Sequence, residues 1–155
     1  MSQGDDINHG KSGENPPDFC DRKIAYFSME IGIDNIIPTY SGGLGVLAGD
    51  TIKSCADLEI PMIALTLLYR KGHFNQRLGR DGQQFENDEK WRPEDHMEPL
   101  SFRTSVEIEG RKVVIRPWLY NYVGGSGFGV PILFLDADMQ ENSSWHRSFN
   151  EHLYG

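Results

Sequence analysis

Apolar positions along the chain gather into short blocks separated by polar stretches rich in glycine. The first block, Lys23-Ile24-Ala25-Tyr26-Phe27-Ser28, is largely apolar and predicts a strand buried in a parallel sheet. An irregular connection from Glu30 to Tyr40 follows, in which Gly32, Asn35 and Pro38 break any period. Leu44, Leu47, Ala48, Thr51, Ile52, Cys55 and Leu58 then recur at helical spacing, with Asp50, Lys53, Ser54 and Asp57 opposite them. That pattern predicts a helix over 44–59. At about 1.5 Å per residue it would run about 24 Å, enough to cross a sheet face. Ile60-Pro61 launches a second strand over 62–68, so strand, helix and strand make one βαβ unit.

Beyond that unit the pattern changes. Tyr69 to Met97 is polar and punctuated by Gly72, Gly79, Asp81-Gly82 and Pro93. Ser105 to Glu109 and Lys112 to Trp118 have β character and are joined by Glu109-Gly110-Arg111, which predicts a hairpin inserted in the α/β frame. Val130 to Leu135 predicts a further buried strand, ended by Asp136-Ala137-Asp138, and Met139 to Gly155 has little strand character. Met1 to Asp18, rich in Gly, Asn, Asp, Ser and Pro, is expected to be a disordered lead-in to a folded part over 19–155.

Composition narrows the class. With 155 residues the chain is long enough for one domain with its own core. A net charge of −8 without a Lys/Arg cluster argues against a nucleic-acid partner, whereas a neutral sugar polymer is indifferent to it. No apolar run approaches the ~18 residues of a membrane helix, and no signal-peptide pattern opens the chain. Cys20 and Cys55 have neither metal-ligand spacing nor a disulfide-framework count, so a reducing cytoplasm is the expected setting, with Cys55 in the core.

The candidate chemistry lies at Gly42-Gly43-Leu44-Gly45. A glycine turn that opens a helix aims unpaired backbone N–H groups and the positive end of the dipole at one spot, which suits an anion, usually phosphate. The alternative is a turn without a ligand. Gly43, Gly45 and Ala48 also satisfy the G-x-G-x-x-A pattern of dinucleotide-binding oxidoreductases. In that motif the glycines follow the first strand directly and an acidic residue ends the second. Here about a dozen residues separate Ser28 from Gly42, and Leu67-Leu68-Tyr69-Arg70 carries no acid. A P-loop is excluded because Gly-Lys-Ser/Thr is missing.

Tyr26-Phe27-Ser28-Met29-Glu30 and Tyr40-Ser41-Gly42-Gly43-Leu44-Gly45-Val46-Leu47-Ala48-Gly49-Asp50 resemble the N-terminal part of α-glucan (glycogen, starch and maltodextrin) phosphorylases, in their shorter bacterial and archaeal branch. The resemblance continues through Leu67-Leu68-Tyr69-Arg70-Lys71-Gly72-His73-Phe74-Asn75-Gln76, Gly82-Gln83-Gln84, Phe134-Leu135-Asp136-Ala137-Asp138 and Leu153-Tyr154-Gly155. Bacterial glycogen synthases share Gly-Gly-Leu-Gly, but with a lysine before it and an aspartate after it, where this chain has Thr39-Tyr40-Ser41 and Val46. Ser144-Trp145-His146-Arg147 departs from the family, which more often has an aspartate before the arginine.

The resemblance implies an α/β fold, an incomplete N-terminal Rossmann-like domain of the two-domain GT-B type. It implies phosphorolysis of α-1,4-glucan to glucose 1-phosphate with pyridoxal 5′-phosphate, whose own phosphate relays a proton beside the substrate phosphate. By position, the backbone of Gly42 and Gly43 would approach the phosphates, the N–H of Leu44 would lie against the glucosyl unit, and Glu30 would line the sugar site. The alternative for Glu30 is a solvated strand-end acid, and Asp50 would complement the helix dipole. No catalytic side chain and no metal ligand is assigned to this chain. The second domain, with the cofactor lysine, the basic residues that grip phosphate and the active-site histidine, is absent from the resemblance; none of Lys23, Lys53, Lys71, Lys90 or Lys112 stands in a matching context. A phosphorylase fragment, inactive alone because transfer needs both walls of the cleft, is therefore expected. The alternatives are a non-catalytic module that binds glucan, a separate C-terminal half or a second copy, and an oxidoreductase.

Other candidates have plainer explanations. Glu86, Asp88 and Glu89 read as a polar loop, and His73, His96, His146 and His152 lack metal spacing. Trp91, Trp118 and Tyr120 are possible sugar platforms, though packing in the core is the commoner fate of such residues.

Overall fold

In a computed structural model, which describes Phe19 and residues 21–73, 75–87 and 91–154, eight strands and two helices follow one another along the chain. They are β1 (Ile24–Phe27), α1 (Gly43–Asp57), β2 (Met62–Leu67), β3 (Asn75–Leu78), β4 (Gln84–Asn87), β5 (Glu98–Pro99), β6 (Thr104–Ile108), β7 (Arg111–Val123), β8 (Gly129–Asp136) and α2 (Ser144–Arg147). The expected lead-in over 1–18, together with Cys20, Asp88, Glu89 and Lys90, lies outside the described residues.

The main sheet runs β1-β2-β8-β7-β5, with β6 paired to β7. β1, β2 and β8 are mutually parallel, and β7 and β5 continue the sheet antiparallel. This is a mixed α/β arrangement with a parallel core, compatible with an incomplete Rossmann-like domain. α1 makes the crossover from β1 to β2 and packs over β2, β7 and β8. Ile52 and Ala56 of α1, Ala64 of β2 and Ile132 and Phe134 of β8 are fully buried in the core beneath it.

Three expectations change. β1 is an edge strand rather than a buried one: with no neighbour beyond it among the described residues, Ile24 is 44% and Phe27 71% exposed. α1 is rotated relative to its leucine stripe, burying Gly45, Ala48, Gly49, Ile52, Cys55 and Ala56 while Leu44, Leu47 and Leu58 stay exposed. The cause is glycine. The Gly32 N–H donates to the Gly45 carbonyl at 2.8 Å, so the connection of residues 30–40 lies directly on the helix backbone. Finally, the predicted hairpin is present, with a longer second strand than expected. Glu109 and Gly110, both at positive φ, form its two-residue turn, but β7 then runs on to Val123 and pairs with β8 as part of the main sheet.

α1 ends in a Schellman arrangement. The Ile60 N–H donates to the Cys55 carbonyl at 2.8 Å and the Glu59 N–H to that of Ala56 at 3.2 Å, with Glu59 in the left-handed region at φ 55°. The small β3–β4 sheet falls in the polar stretch that predicts no element.

The segment after β8 is fastened by two buried asparagines. Asn150 donates to the carbonyls of Leu68 and Leu135 at 2.6 and 2.8 Å and accepts from the Ala137 N–H at 2.7 Å. Asn142 donates to the carbonyls of Val114 and Ala137, both at 2.7 Å, and accepts from the Val114 N–H at 2.8 Å. This segment therefore returns to the C-terminal ends of β2 and β8.

Candidate functional site

Those strand ends are where open α/β sheets hold their ligands, and the sequence candidates meet there. Past β1, the chain turns at Ser28, whose hydroxyl donates to the Glu30 carbonyl at 2.7 Å. Thr66 and Tyr69 fix the same turn from the neighbouring strand, their hydroxyls donating to the Met29 carbonyl at 3.2 and 3.1 Å. Glu30 emerges from this turn only 2% exposed. The solvated alternative for it is thereby overturned: its carboxylate faces inward to the glycine turn.

Glu30 Oε2 accepts from the Ser41 N–H at 2.7 Å and the Gly42 N–H at 3.3 Å, and Oε1 accepts from the Tyr154 hydroxyl. Burial pushes the carboxyl pKa up, but the bonds from Tyr154, Ser41 and Gly42, with the charge of His73, outweigh it and hold the pKa below its usual 4.5. Burial, with Tyr154 and Glu30 adding to it, drives the Tyr69 phenol the other way, up to about 12. At neutral pH the site thus holds an ionised carboxylate beside a neutral phenol.

The carboxylate takes the amides of Ser41 and Gly42. The first bond inside α1 runs from the Val46 N–H to the Gly42 carbonyl at 3.2 Å, so the amides of Gly43, Leu44 and Gly45 precede it and have no acceptor one turn back. Gly42 is extended (φ −154°), a conformation open to any residue. A Cβ on Gly42 or Gly43 would meet no atom within 4 Å, whereas one on Gly45 would lie 2.4 Å from Tyr40 Cβ and 2.9 Å from Glu30 Oε2. Packing thus requires glycine at 45, and neither packing nor φ requires it at 42. At 43 the space is likewise open. Leu44 is half exposed at the rim, and Val46 and Leu47 extend an apolar surface beside it.

The remaining candidates fall elsewhere. Asp50 is exposed and two turns into α1, beyond the first turn where a charge acts on the dipole. Trp118 and Tyr120 are buried in the core, and Trp118 Nε1 donates to Asp136 at 3.2 Å. Trp91 is half buried, donates to the Tyr69 carbonyl at 3.1 Å and borders an open hollow of about 350 Å³. His146 is buried, its Nδ1 2.9 Å from the Ser143 hydroxyl that caps α2. Among the described residues no group of three or more His, Cys, Asp or Glu could hold a metal, and no helix is long and apolar enough to cross a membrane.

Sequence reasoning missed two features of this region. One is the charge network on Asp136, fully buried at the end of β8, which receives Arg70 while Arg70 also faces Asp138 at 3.6 Å. The other is Tyr154, whose signal in the sequence was only its place within Leu153-Tyr154-Gly155.

An α/β chain with a parallel core and a glycine-opened helix at the C-terminal ends of its parallel strands is the class that fold and site define. A profile of the carbohydrate phosphorylase family matches residues 38–113, which hold the glycine turn, α1 and β2. The chain is 41% identical over 140 residues to a glycogen phosphorylase of Mycobacterium tuberculosis, covering 85% of this chain and 16% of that protein. It is likewise 41% identical over 138 residues to a maltodextrin phosphorylase of Thermococcus litoralis (84% and 16%), and 31% identical over 145 residues to a glycogen phosphorylase of Aquifex aeolicus (86% and 20%). Together these matches support placing the chain with the carbohydrate phosphorylases. The chain spans about a sixth of the length of the first two of these relatives. These matches do not favour an oxidoreductase or a free-standing binding module.

Proposed function

We propose that this chain supplies one wall of an α-glucan phosphorylase active site, as part of the N-terminal half of a GT-B type enzyme of the cytoplasm. The reaction is transfer of a terminal α-1,4-linked glucosyl unit to phosphate, giving glucose 1-phosphate. One observation carries this reading: Gly42 and Gly43 stand in open space before amides without an intrahelical acceptor, while Glu30 holds the turn in place. A glycine that nothing among the described residues crowds leaves room for a ligand to approach the backbone. Amides at a helix start stabilise phosphate without adding a group that titrates.

In this reading Gly43 and the end of the turn at Gly42 meet the phosphates, Leu44 N–H meets the glucosyl unit, and Glu30 borders the sugar while fixing the turn. Pyridoxal phosphate fits this chain only in part. Its phosphate suits the amides, but the described lysines do not stand at the turn: Lys23 precedes β1, Lys53 lies on the third turn of α1, Lys71 pairs with Glu151, and Lys112 is in the β6–β7 hairpin. Anchoring of the aldehyde therefore belongs to the remaining length of the family's longer chains. A single wall does not hold the reactants in register, so residues 1–155 tested by themselves are expected to show no phosphorolysis.

A chimera tests the assignment. Residues 23–154 would replace the matching segment of the M. tuberculosis glycogen phosphorylase, and phosphorolysis of maltodextrin would be measured. Activity within about tenfold of the parent is expected. A folded chimera that binds pyridoxal phosphate yet forms no glucose 1-phosphate would contradict it.

A further inference from the structure

Glu30 presents two carboxylate oxygens to the interior, and only Oε2 is engaged by the glycine turn. Without a donor, Oε1 would be a buried charged atom left unsatisfied, which is costly. The donor is the hydroxyl of Tyr154, 124 residues further along the chain. Tyr154 holds a left-handed backbone (φ 62°), a conformation that a non-glycine residue keeps only where its surroundings enforce it.

Those surroundings are visible. Leu153 is buried and its N–H donates to the Gly72 carbonyl at 3.2 Å. Just before it, the carbonyls of Asn150 and Glu151 accept from Arg70 and Lys71 N–H at 2.8 and 2.9 Å. The Asn150 side chain bonds the ends of β2 and β8. Tyr154 is thus delivered to Glu30 by a segment fastened to the sheet, although its own ring is largely exposed. The Tyr154 ring itself lies outside the core.

We propose that Tyr154 is a positioning residue of the glycine turn: its hydroxyl orients the Glu30 carboxylate, which in turn fixes the Ser41 and Gly42 amides and so the direction of the amides that follow. The final consequence, for phosphate, rests on the function proposed above; the coupling from Tyr154 to Ser41 does not. His73 acts on the same carboxylate electrostatically, and Tyr69 lies within the field of both Glu30 and Tyr154.

The test compares wild type, Tyr154→Phe and Tyr154→Leu, each verified as folded, by the NMR titration of the Glu30 carboxyl and by hydrogen exchange at Ser41 and Gly42. Tyr154→Phe removes the hydroxyl and keeps the ring. The Glu30 pKa is expected to rise from its depressed value, and exchange at the two amides to quicken roughly threefold or more, with amides late in α1 unmoved. Binding of inorganic phosphate should weaken in Tyr154→Phe, and the two substitutions should not add in Glu30→Gln/Tyr154→Phe. A wild-type titration and wild-type exchange in Tyr154→Phe would overturn the proposal, as would an effect seen only in Tyr154→Leu. If the carboxyl and amides respond but the wild-type chain takes no phosphate, the positioning role stands and the phosphate reading falls.

Discussion

Gly49 and Gly32 meet backbone to backbone: a Cβ on Gly49 would lie 2.1 Å from the Gly32 carbonyl oxygen and 2.7 Å from its carbon. Both partners are main chain, so neither can step aside as the end of a side chain would. This contact seats the connection of residues 30–40 on α1 and fixes the distance between Glu30 and the glycine turn. Gly49→Ala should therefore destabilise the chain by about 2–3 kcal/mol, as overpacking against a rigid neighbour does. Urea unfolding measures it. A change below about 0.5 kcal/mol would mean that the helix is not held against Gly32.

Gly43→Ala should behave in the opposite way. Its Cβ enters open space at the first helical position, so stability should hold or rise by up to about 0.5 kcal/mol. Phosphate affinity should nevertheless fall about tenfold, the equivalent of one well-placed hydrogen bond to an anion. Unfolding and phosphate titration of the same sample separate the two effects. Loss of stability with unchanged phosphate affinity would make Gly43 a structural glycine.

Glu59→Gly should stabilise. Glu59 holds the left-handed position that closes α1, and it is exposed, so its side chain supplies no packing there. Relief of the left-handed cost exceeds the added freedom of the unfolded chain, for a net gain of about 0.5 kcal/mol. Thermal unfolding of wild type and variant is the check, and a lower midpoint in the variant would contradict it.

The Glu30 latch gives stability two pH limits. The carboxyl pKa is depressed on folding below 4.5, so its contribution is complete above 4.5 and is lost as pH falls through the folded value. The Tyr154 phenol is shifted up from 10, first through its bond to Glu30, so its contribution is complete below 10 and is lost as pH rises through the folded value. Exchange at Ser41 and Gly42, corrected for intrinsic rate, should be slowest between these limits. Glu30→Gln should flatten the acid side. Equal acid dependence in wild type and Glu30→Gln would show that another group governs it.

Much of the frame was legible because periodicity reports burial on one face. β2 alternates in burial along its whole length, β8 is an apolar run covered on both faces, and Glu109-Gly110 sits where a two-residue turn must. The orientation of α1 was not, because a count of apolar side chains cannot register glycines that bury their backbone at 45 and 49. Nor was the exposure of β1, since an edge strand and a central one can share the same composition. β7 runs five residues beyond Trp118, because pairing with β8 through Val123 carries the polar Asn121 along with it. At the site, the glycine turn announced itself locally, but the Glu30 carboxylate finds its donors 11, 12 and 124 residues away, beyond the reach of any local pattern.

The central claim is that the turn before α1 receives phosphate. It is tested most directly by titrating the isotope-labelled chain with inorganic phosphate while following every backbone amide by NMR. The largest shifts should fall on Gly43, Leu44 and Gly45, saturate together and be reduced in Gly43→Ala. Shifts confined to lysine and arginine residues elsewhere, or none at the turn at saturating phosphate, would contradict the account.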